Sequence, residues 1–168
     1  MLLFCPAVFA YQSLQELYVQ AGPYGEYDRY VELDSTVDYL GDLRILEDIT
    51  VCLNGNGAVI HVDDYSIGVG VWLGDLDIHN CVLVGGNCGI LFSTDASGEI
   101  RSNTVTDCQL YGIAVVYPNM QAGVTVWDNI ITDSYYGLYC VEYYHPTYIG
   151  YNTVFNATMY RYAELCPD

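Results

Sequence analysis

The 168-residue chain contains no lysine, and its basic side chains, Arg29, Arg44, Arg101 and Arg161, stand against 21 carboxylates for a formal charge of -17. That shortage excludes a nucleic-acid partner, because phosphates must be neutralised by Lys or Arg. An anionic membrane surface is an equally poor partner. Long hydrophobic runs are also missing, and no stretch reaches the ~20 apolar residues of a membrane-spanning helix. The seven cysteines, Cys5, Cys52, Cys81, Cys88, Cys108, Cys140 and Cys166, include no C-x2-4-C pair, so a structural zinc site is excluded. Beyond Gln20 no long amphipathic helical period is visible, which argues against a doubly wound α/β domain.

What the chain does have is apolar bulk. Hydrophobic residues make up 52%, too many for a disordered chain whatever its charge, so the acid belongs to the surface of a folded domain. The cysteine content points to an oxidising compartment and an extracellular or cell-surface protein, with the thiols either paired or buried free. Met1–Ala10 (MLLFCPAVFA) is apolar and ends like a secretory cleavage site, but lacks a positive start. It reads either as a targeting signal or as an N-terminal strand.

A repeat organises the remainder. Asn80 to Ile90 (NCVLVGGNCGI), Asn103 to Ile113 (NTVTDCQLYGI), Asn129 to Leu138 (NIITDSYYGL) and the run from Asn152 (NTVFNATMYRY) superimpose, their leading asparagines 23, 26 and 23 residues apart. The repeats alternate Val, Ile, Thr and Tyr in period two with glycine inside them, which favours short strands over helical repeats. That spacing suits one coil of a parallel β-helix. In this register Val82, Val105, Ile131 and Val154 form one inward column. Ile90, Ile113 and Leu138 form a second, and Phe92, Val115 and Cys140 a third. Asn80, Asn103, Asn129 and Asn152 form a structural ladder at a bend, and Gly89, Gly112 and Gly137 mark places where a Cβ would collide or φ is positive. The expected architecture is all-β: a right-handed parallel β-helix solenoid of about four to five coils over residues 30–168. Residues 1–29 form a short capping or assembly segment. Within it Ser13 is a candidate N-cap with Glu16 three residues on, and Leu14, Leu17 and Tyr18 share one face.

From about Tyr30 onward the chain resembles the right-handed parallel β-helix repeat family, the superfamily of pectate lyases, polygalacturonases and NosD-like proteins. Leu43 to Ile60 (LRILEDITVCLNGNGAVI) and the rungs at Asn103 and Asn129 carry the resemblance. It implies the fold and little about function, since lyases, hydrolases, epimerases and inert fibres share it. Lyase-like members pair an Arg or Lys base with acidic calcium ligands, and here only Arg101 lies near acids. Polygalacturonase-like members combine aspartates with a histidine. Asp75, Asp77 and His79 lie together, but the family's N-T-D and G-H-G motifs are absent, and Val105 follows Asn103-Thr104 where an aspartate would stand.

The candidate sites are then as follows. Asp107, Asp133 and Asn156 share a column and offer oxygen ligands to calcium, or an acid pair in Asp107 and Asp133 if the chain is an enzyme; a solvated acidic face is the plain alternative. A second acidic group is Asp63, Asp64, Asp75 and Asp77. Trp127, Tyr135, Tyr136, Tyr139, Tyr143, Tyr144, Tyr148 and Tyr151 crowd one region and suit a subunit interface, a glycan platform or ordinary packing under loops. His61 and His145 look isolated. Cys52 with Cys81, and Cys140 with Cys166, are disulfide candidates, and Asn156 opens the N-x-S/T sequon. No cofactor is required beyond the calcium option. These residues favour a self-associating extracellular structural protein, a fibre or surface-layer subunit. The alternatives are a calcium-assisted polysaccharide lyase or glycosidase, and a non-catalytic glycan-binding module whose partner is an extracellular polysaccharide.

Overall fold

The computed structural model describes residues 11–116, 123–141 and 148–164. Met1–Ala10, with its signal-or-strand question, lies outside them. The chain coils as a parallel β-helix. One face is a seven-stranded parallel sheet of Gln12–Ser13, Tyr39–Leu40, Val59–Val62, Val82–Gly85, Thr104–Thr106, Ile130–Thr132 and Thr153–Phe155, each strand pairing with its equivalent one coil later. A second parallel sheet bends around the other two faces, and the long strands Ile67–His79 and Cys88–Arg101 run through both of them. The second face holds Leu43–Ile45, the first halves of those long strands, Tyr111–Val116, Tyr136–Cys140 and Tyr160–Glu164. The third holds Arg29–Glu32, Thr50–Asn54, the second halves, Val124–Trp127 and Tyr148–Gly150. Seven rungs on one face make the stack longer than four to five coils. Its first rung, Gln12–Ser13, lies inside the 1–29 segment expected as an N-terminal strand, short helix cap or assembly segment. Two-residue strands carry no legible alternation, which hid these early rungs.

The interior is filled by columns of like-shaped side chains stacked at the ~4.8 Å strand spacing. Leu43, Val69, Ile90, Ile113 and Leu138 form one, and Ile45, Val71, Phe92, Val115 and Cys140 the next, all fully buried. These extend the expected second and third columns upstream. The first expected column needs correction. Leu83, not Val82, aligns with Val105, Ile131 and Val154, and Val82 faces outward in register with Thr104. A one-residue slip exchanges the two faces of a strand. It arises because the ladder position of that coil is held by Cys81, so Asn80 stands one residue before the place Asn103 takes in the next coil.

The asparagine ladder is real but begins differently. Asn103 Oδ1 accepts from the Cys81 N–H, Asn129 Oδ1 from the Asn103 N–H and Asn152 Oδ1 from the Asn129 N–H, each at 3.0 Å. The amide nitrogens donate to the carbonyls of Ile78, Ile100 and Val126 at 2.9–3.0 Å. Asn103 and Asn129 are buried, and these bonds satisfy polar groups that would otherwise be costly there. Asn80 is instead the corner residue before the ladder, with φ 57° and its amide beside His79. Within the strand Tyr111–Val116 rather than at a bend, a Cβ at Gly112 would lie 2.3 Å from Ile131 Cγ2 and 2.8 Å from the Gly137 carbonyl, so close approach, not positive φ, demands glycine there.

Helix Leu14–Gln20 starts at Ser13, whose Oγ accepts from the Glu16 N–H at 3.3 Å, and buries Leu14 and Tyr18 on the end of the core. Arg29 donates to the Tyr18 and Val19 carbonyls at 3.0 and 3.1 Å, supplying partners to the helix C-terminus. Gln15 Oε1 accepts from the Arg44 N–H at 2.9 Å, so the helix also covers part of an edge strand.

Candidate functional site

The third face carries the chemistry. Its strands alternate buried Val51, Leu53, Leu76, Ile78 and Ile100 with side chains that point outward. Register sets Cys52, Asp77 and Glu99 in one outward column and Asn54, His79, Arg101 and Trp127 in the next, with Thr50, Asp75 and Ser97 alongside. A carboxylate, an imidazole, a guanidinium and an indole are thereby held on neighbouring rungs of a rigid sheet.

Each head group is tied down. Tyr27, on the turn before Arg29–Glu32, reaches across to donate its hydroxyl to Asp77 Oδ2 at 2.6 Å. Glu99 accepts from Trp127 Nε1 at 2.6 Å and from Arg101 Nε at 2.8 Å. Ser97 Oγ donates to Asp75 Oδ2 at 2.8 Å. The His79 ring lies between Cys52 Sγ, 3.6 Å from Nε2, and the Asn80 amide, 3.1 Å from Nδ1. Burial pushes the Asp77 carboxyl above its ordinary value; the Tyr27 hydroxyl opposes this, while the charges of Asp75 and Glu99 add to it. Burial, and then Arg101, lower His79, so its ring is neutral at neutral pH. Burial, with Asp77, lifts the Cys52 thiol to about 11. Cys52 is therefore a protonated, 2% exposed thiol rather than an activated nucleophile.

Glu26, Tyr27, Thr50, Asp75 and Asp77 line a cleft of about 340 Å³ at the start of this face. Tyr24 and Tyr30 pack beside it as a tilted pair with centroids 4.8 Å apart, and Tyr24 is largely exposed. The face thus offers aromatic rings at both ends, around Tyr24 and Trp127, with hydrogen-bonding groups between them. Such a surface can hold an elongated polar ligand whose rings stack and whose hydroxyls exchange hydrogen bonds with carboxylates.

The expected site residues are placed differently. Asp107, Asp133 and Asn156 do share a column, but at a corner where each backbone is left-handed, with φ of 53–58°. The Asn156 amide donates to Asp133, which makes this column a structural ladder as well as an oxygen cluster. Among the described residues no group of three His, Cys, Asp or Glu is arranged to hold a metal ion. The aromatic crowd is divided. Tyr135, Tyr136 and Tyr139 gather with Tyr111 at the second face, ring centroids 4.7–5.6 Å apart. Trp127 and Tyr148 belong to the third face, and Tyr151 to the corner after it, 83% exposed. Tyr143, Tyr144 and His145 lie outside the described residues. Asp63 and Asp64 stand at a different corner from Asp75 and Asp77, and Gln109 donates to Asp64 at 2.8 Å. His61 is not isolated; its Nε2 is 3.7 Å from Asp38.

The Cys52–Cys81 disulfide is overturned: both are free and buried. Leu53 aligns with Ile78 and not with Val82, so Cys52 sits on a strand of the third face and Cys81 at the following bend. Cys140 is disulfide-bonded, while Cys166, its expected partner, lies outside the described residues. Of the third face, the sequence singled out Asp75, Asp77, His79 and Arg101, with Trp127 and Tyr148 in the aromatic group and Cys52 as a disulfide candidate, but not their common surface. Period-two spacing of Asp75-x-Asp77-x-His79 and Glu99-x-Arg101 around buried aliphatics, one coil apart, was the available signal.

Among the described residues no helix is long and apolar enough to cross a membrane. No curated protein and no solved structure matches the chain. A family model does, the right-handed β-helix region, over residues 54–162. That match spans more than half of the chain and includes the later rungs of the third face, from Asp75 to Tyr148, and the chain belongs to the right-handed β-helix family.

Proposed function

We propose that the chain is an extracellular glycan-binding β-helix whose third face holds a neutral oligosaccharide along the coil axis. The observation that carries this reading is the outward array of Tyr27, Asp77, His79, Glu99, Arg101 and Trp127, each head group fixed by a neighbour and half-buried beside a cleft. Preorganised polar groups flanked by rings lower the ordering cost of binding a flexible sugar chain. The charge narrows the ligand. Carboxylates dominate the face, and the guanidinium of the outward array, Arg101, is already engaged by Glu99, so uronic-acid polymers are repelled. Calorimetry against neutral and uronic oligosaccharides tests the reading: neutral chains bind, Trp127→Ala weakens them at least tenfold, and binding only of polyuronates defeats it. Hydrolysis on the same face would use the raised Asp77 as acid beside Glu99 one rung away, and turnover lost in Asp77→Asn with binding kept would identify it. Calcium at Asp107, Asp133 and Asn156 forms no part of this binding surface.

A second reading is favoured by one observation, the tyrosine group of the second face. Tyr135, 36% exposed, packs edge-on against Tyr136, which stacks with Tyr111, and such rings are common anchors of protein interfaces. Self-association through this group is read by sedimentation, with Tyr135→Ser expected to shift any oligomer toward monomer.

A further inference from the structure

The corner between the third face and the first is built in two sizes. From the buried Leu53 to the buried Ile60 the chain takes seven positions, whereas from Ile78 to Leu83 on the next coil it takes five. The extra residues belong to Asn54-Gly55-Asn56-Gly57, a turn fastened to the coil that follows. The Gly55 N–H donates to the His79 carbonyl at 2.8 Å and the Gly57 N–H to the Asn80 carbonyl at 2.7 Å. The long turn therefore stands as a wall beside a shorter corner, and a cleft of about 450 Å³ opens against it. Asn56 and Gly57 line it from the coil before, Ser102 and Thr104 from the coil after, with Asn80, Cys81 and Val82 between them.

Among the described residues no charged side chain lines this cleft, which sets it apart from the third face beside it. Its amides are anchored through nitrogen. Asn56 Nδ2 donates to Glu32 Oε1 at 3.2 Å and to the Leu33 carbonyl at 3.0 Å, and Asn80 Nδ2 lies 3.1 Å from His79 Nδ1. The two amide oxygens remain as acceptors, and among the described residues nothing donates to either. Ser102 donates its hydroxyl to Asp128 Oδ2 at 3.1 Å and keeps its lone pairs. The backbone adds no donors, because the N–H groups of Gly57, Val82 and Thr104 bond carbonyls of neighbouring coils and that of Cys81 bonds Asn103 Oδ1. A ligand for this set must bring hydroxyl donors and an uncharged body that can lie on Val82.

Position and size narrow the occupant. Asn80 joins the cleft to the third face through its bond to His79, and Ser102 directly follows Arg101, so the two surfaces are continuous. The three residues from His79 to Val82 span at most about 11 Å. A ring attached to a chain lying on the third face can therefore reach the cleft. Its volume falls within the roughly 300–1,000 Å³ of small-ligand sites, which suits one sugar residue with its waters. A peptide is a poorer fit, since its carbonyls would find no backbone donor. An anionic branch is disfavoured by Glu32 and Asp128, which stand behind the amide and the serine.

We propose that this cleft is a side-branch subsite, holding one neutral sugar residue that branches from the chain bound on the third face; the inference rests on the glycan reading above. Calorimetry with the full chain uses two pairs of probes, cellotetraose with the xyloglucan heptasaccharide, and mannopentaose with its galactosyl-branched form. In at least one pair the branched probe is expected to bind roughly tenfold tighter. Thr104→Val, which exchanges the hydroxyl for a methyl, should cut that preference about two- to tenfold. Thr104→Trp fills the cleft from a strand position that accepts aromatics, and should bring the paired probes to equal affinity. Ile130→Trp, one rung beyond the cleft and 49% exposed in the wild type, should keep the preference. Circular dichroism checks that each variant is folded. Linear probes that bind as tightly as their branched partners in both pairs overturn the branch subsite and leave the glycan reading standing. A preference that survives Thr104→Trp, or that Ile130→Trp removes equally, also overturns it. Failure of all four probes to bind overturns both readings together.

Discussion

Replacing Asn129 by alanine tests whether the amide ladder holds the coils together. In the folded chain its side chain accepts from the Asn103 N–H at 3.0 Å and from the Asn103 amide at 3.1 Å. It donates to the Ile100 carbonyl at 2.9 Å, the Trp127 carbonyl at 3.0 Å and Asn152 Oδ1 at 2.9 Å. Truncation strips the buried Asn103 N–H of this acceptor and the Ile100 carbonyl of this donor, and leaves a small void. A buried group without a partner costs about 1–3 kcal/mol, so the two together with the void imply a loss of about 3–5 kcal/mol. For a chain of this size that corresponds to a fall in Tm of about 6–20 °C. Asn152→Ala should cost only about 1 kcal/mol, because Asn152 is half-exposed and water can replace its bonds. Asn129→Asp discriminates further. The carboxylate keeps the acceptor role but cannot donate to the Ile100 and Trp127 carbonyls, and it buries a charge. Its folded pKa is therefore raised, so the variant is most stable below the ordinary carboxylate range and loses stability as pH rises through the folded value. Urea unfolding followed by circular dichroism, at acidic and neutral pH, measures all three. A loss under ~1 kcal/mol for Asn129→Ala, or a loss equal to that of Asn152→Ala, would falsify the ladder's structural role.

The third face makes predictions of its own. Asp77 is held above its ordinary 3.8, so its contribution to stability is complete below that value and is lost as pH rises through the folded pKa; Asp77→Asn should melt higher than the wild type at neutral pH, and the gap should close on acidification. His79 is lowered from 6.5, so it favours folding above that pH and disfavours it below; its ring resonances in NMR should stay those of neutral imidazole at pH 6.5, and a half-charged ring there would contradict the burial argument. Buried and protonated, Cys52, Cys81, Cys88 and Cys108 should resist iodoacetamide in the native chain and react only after unfolding, as counted by intact mass. Rapid native labelling at Cys52 would mean that the face opens. Peptide mapping without reduction identifies the partner of Cys140, for which Cys166 is the expected residue.

Much of the fold was legible because coil geometry repeats. Ile90, Ile113 and Leu138 follow glycines at a constant offset, and their neighbours alternate, so stacking and facing were both readable. Asn80 misled because an exposed corner asparagine and a buried ladder asparagine look alike in sequence; only the hydrogen bond from the Cys81 N–H to Asn103 separates them. The Cys52–Cys81 pairing failed for a related reason. Asn54-Gly55-Asn56-Gly57 adds residues to that turn, so an offset taken from later coils does not transfer. The third face was the least legible. A strand that alternates acid and aliphatic looks like a solvated edge until the register of its neighbours is known, and Tyr27 reaches Asp77 from fifty residues away.

The amide ladder also determines where the chain can change length. From the third face to the first, Ile78 to Leu83, Ile100 to Val105, Val126 to Ile131 and Ile149 to Val154 are separated by the same number of residues in each of the four coils that follow the Asn54–Gly57 turn. Between the second face and the third, Val71 to Asp77, Phe92 to Glu99, Val115 to Thr125 and Cys140 to Tyr148 are all different. One edge of the prism is a hinge pin and another is a free margin. Insertions entering at that margin emerge beside Glu99, Thr125 and Tyr148 without displacing a single interior column. New loops, whether evolved or grafted, can thus enlarge the third face while the first face keeps its spacing.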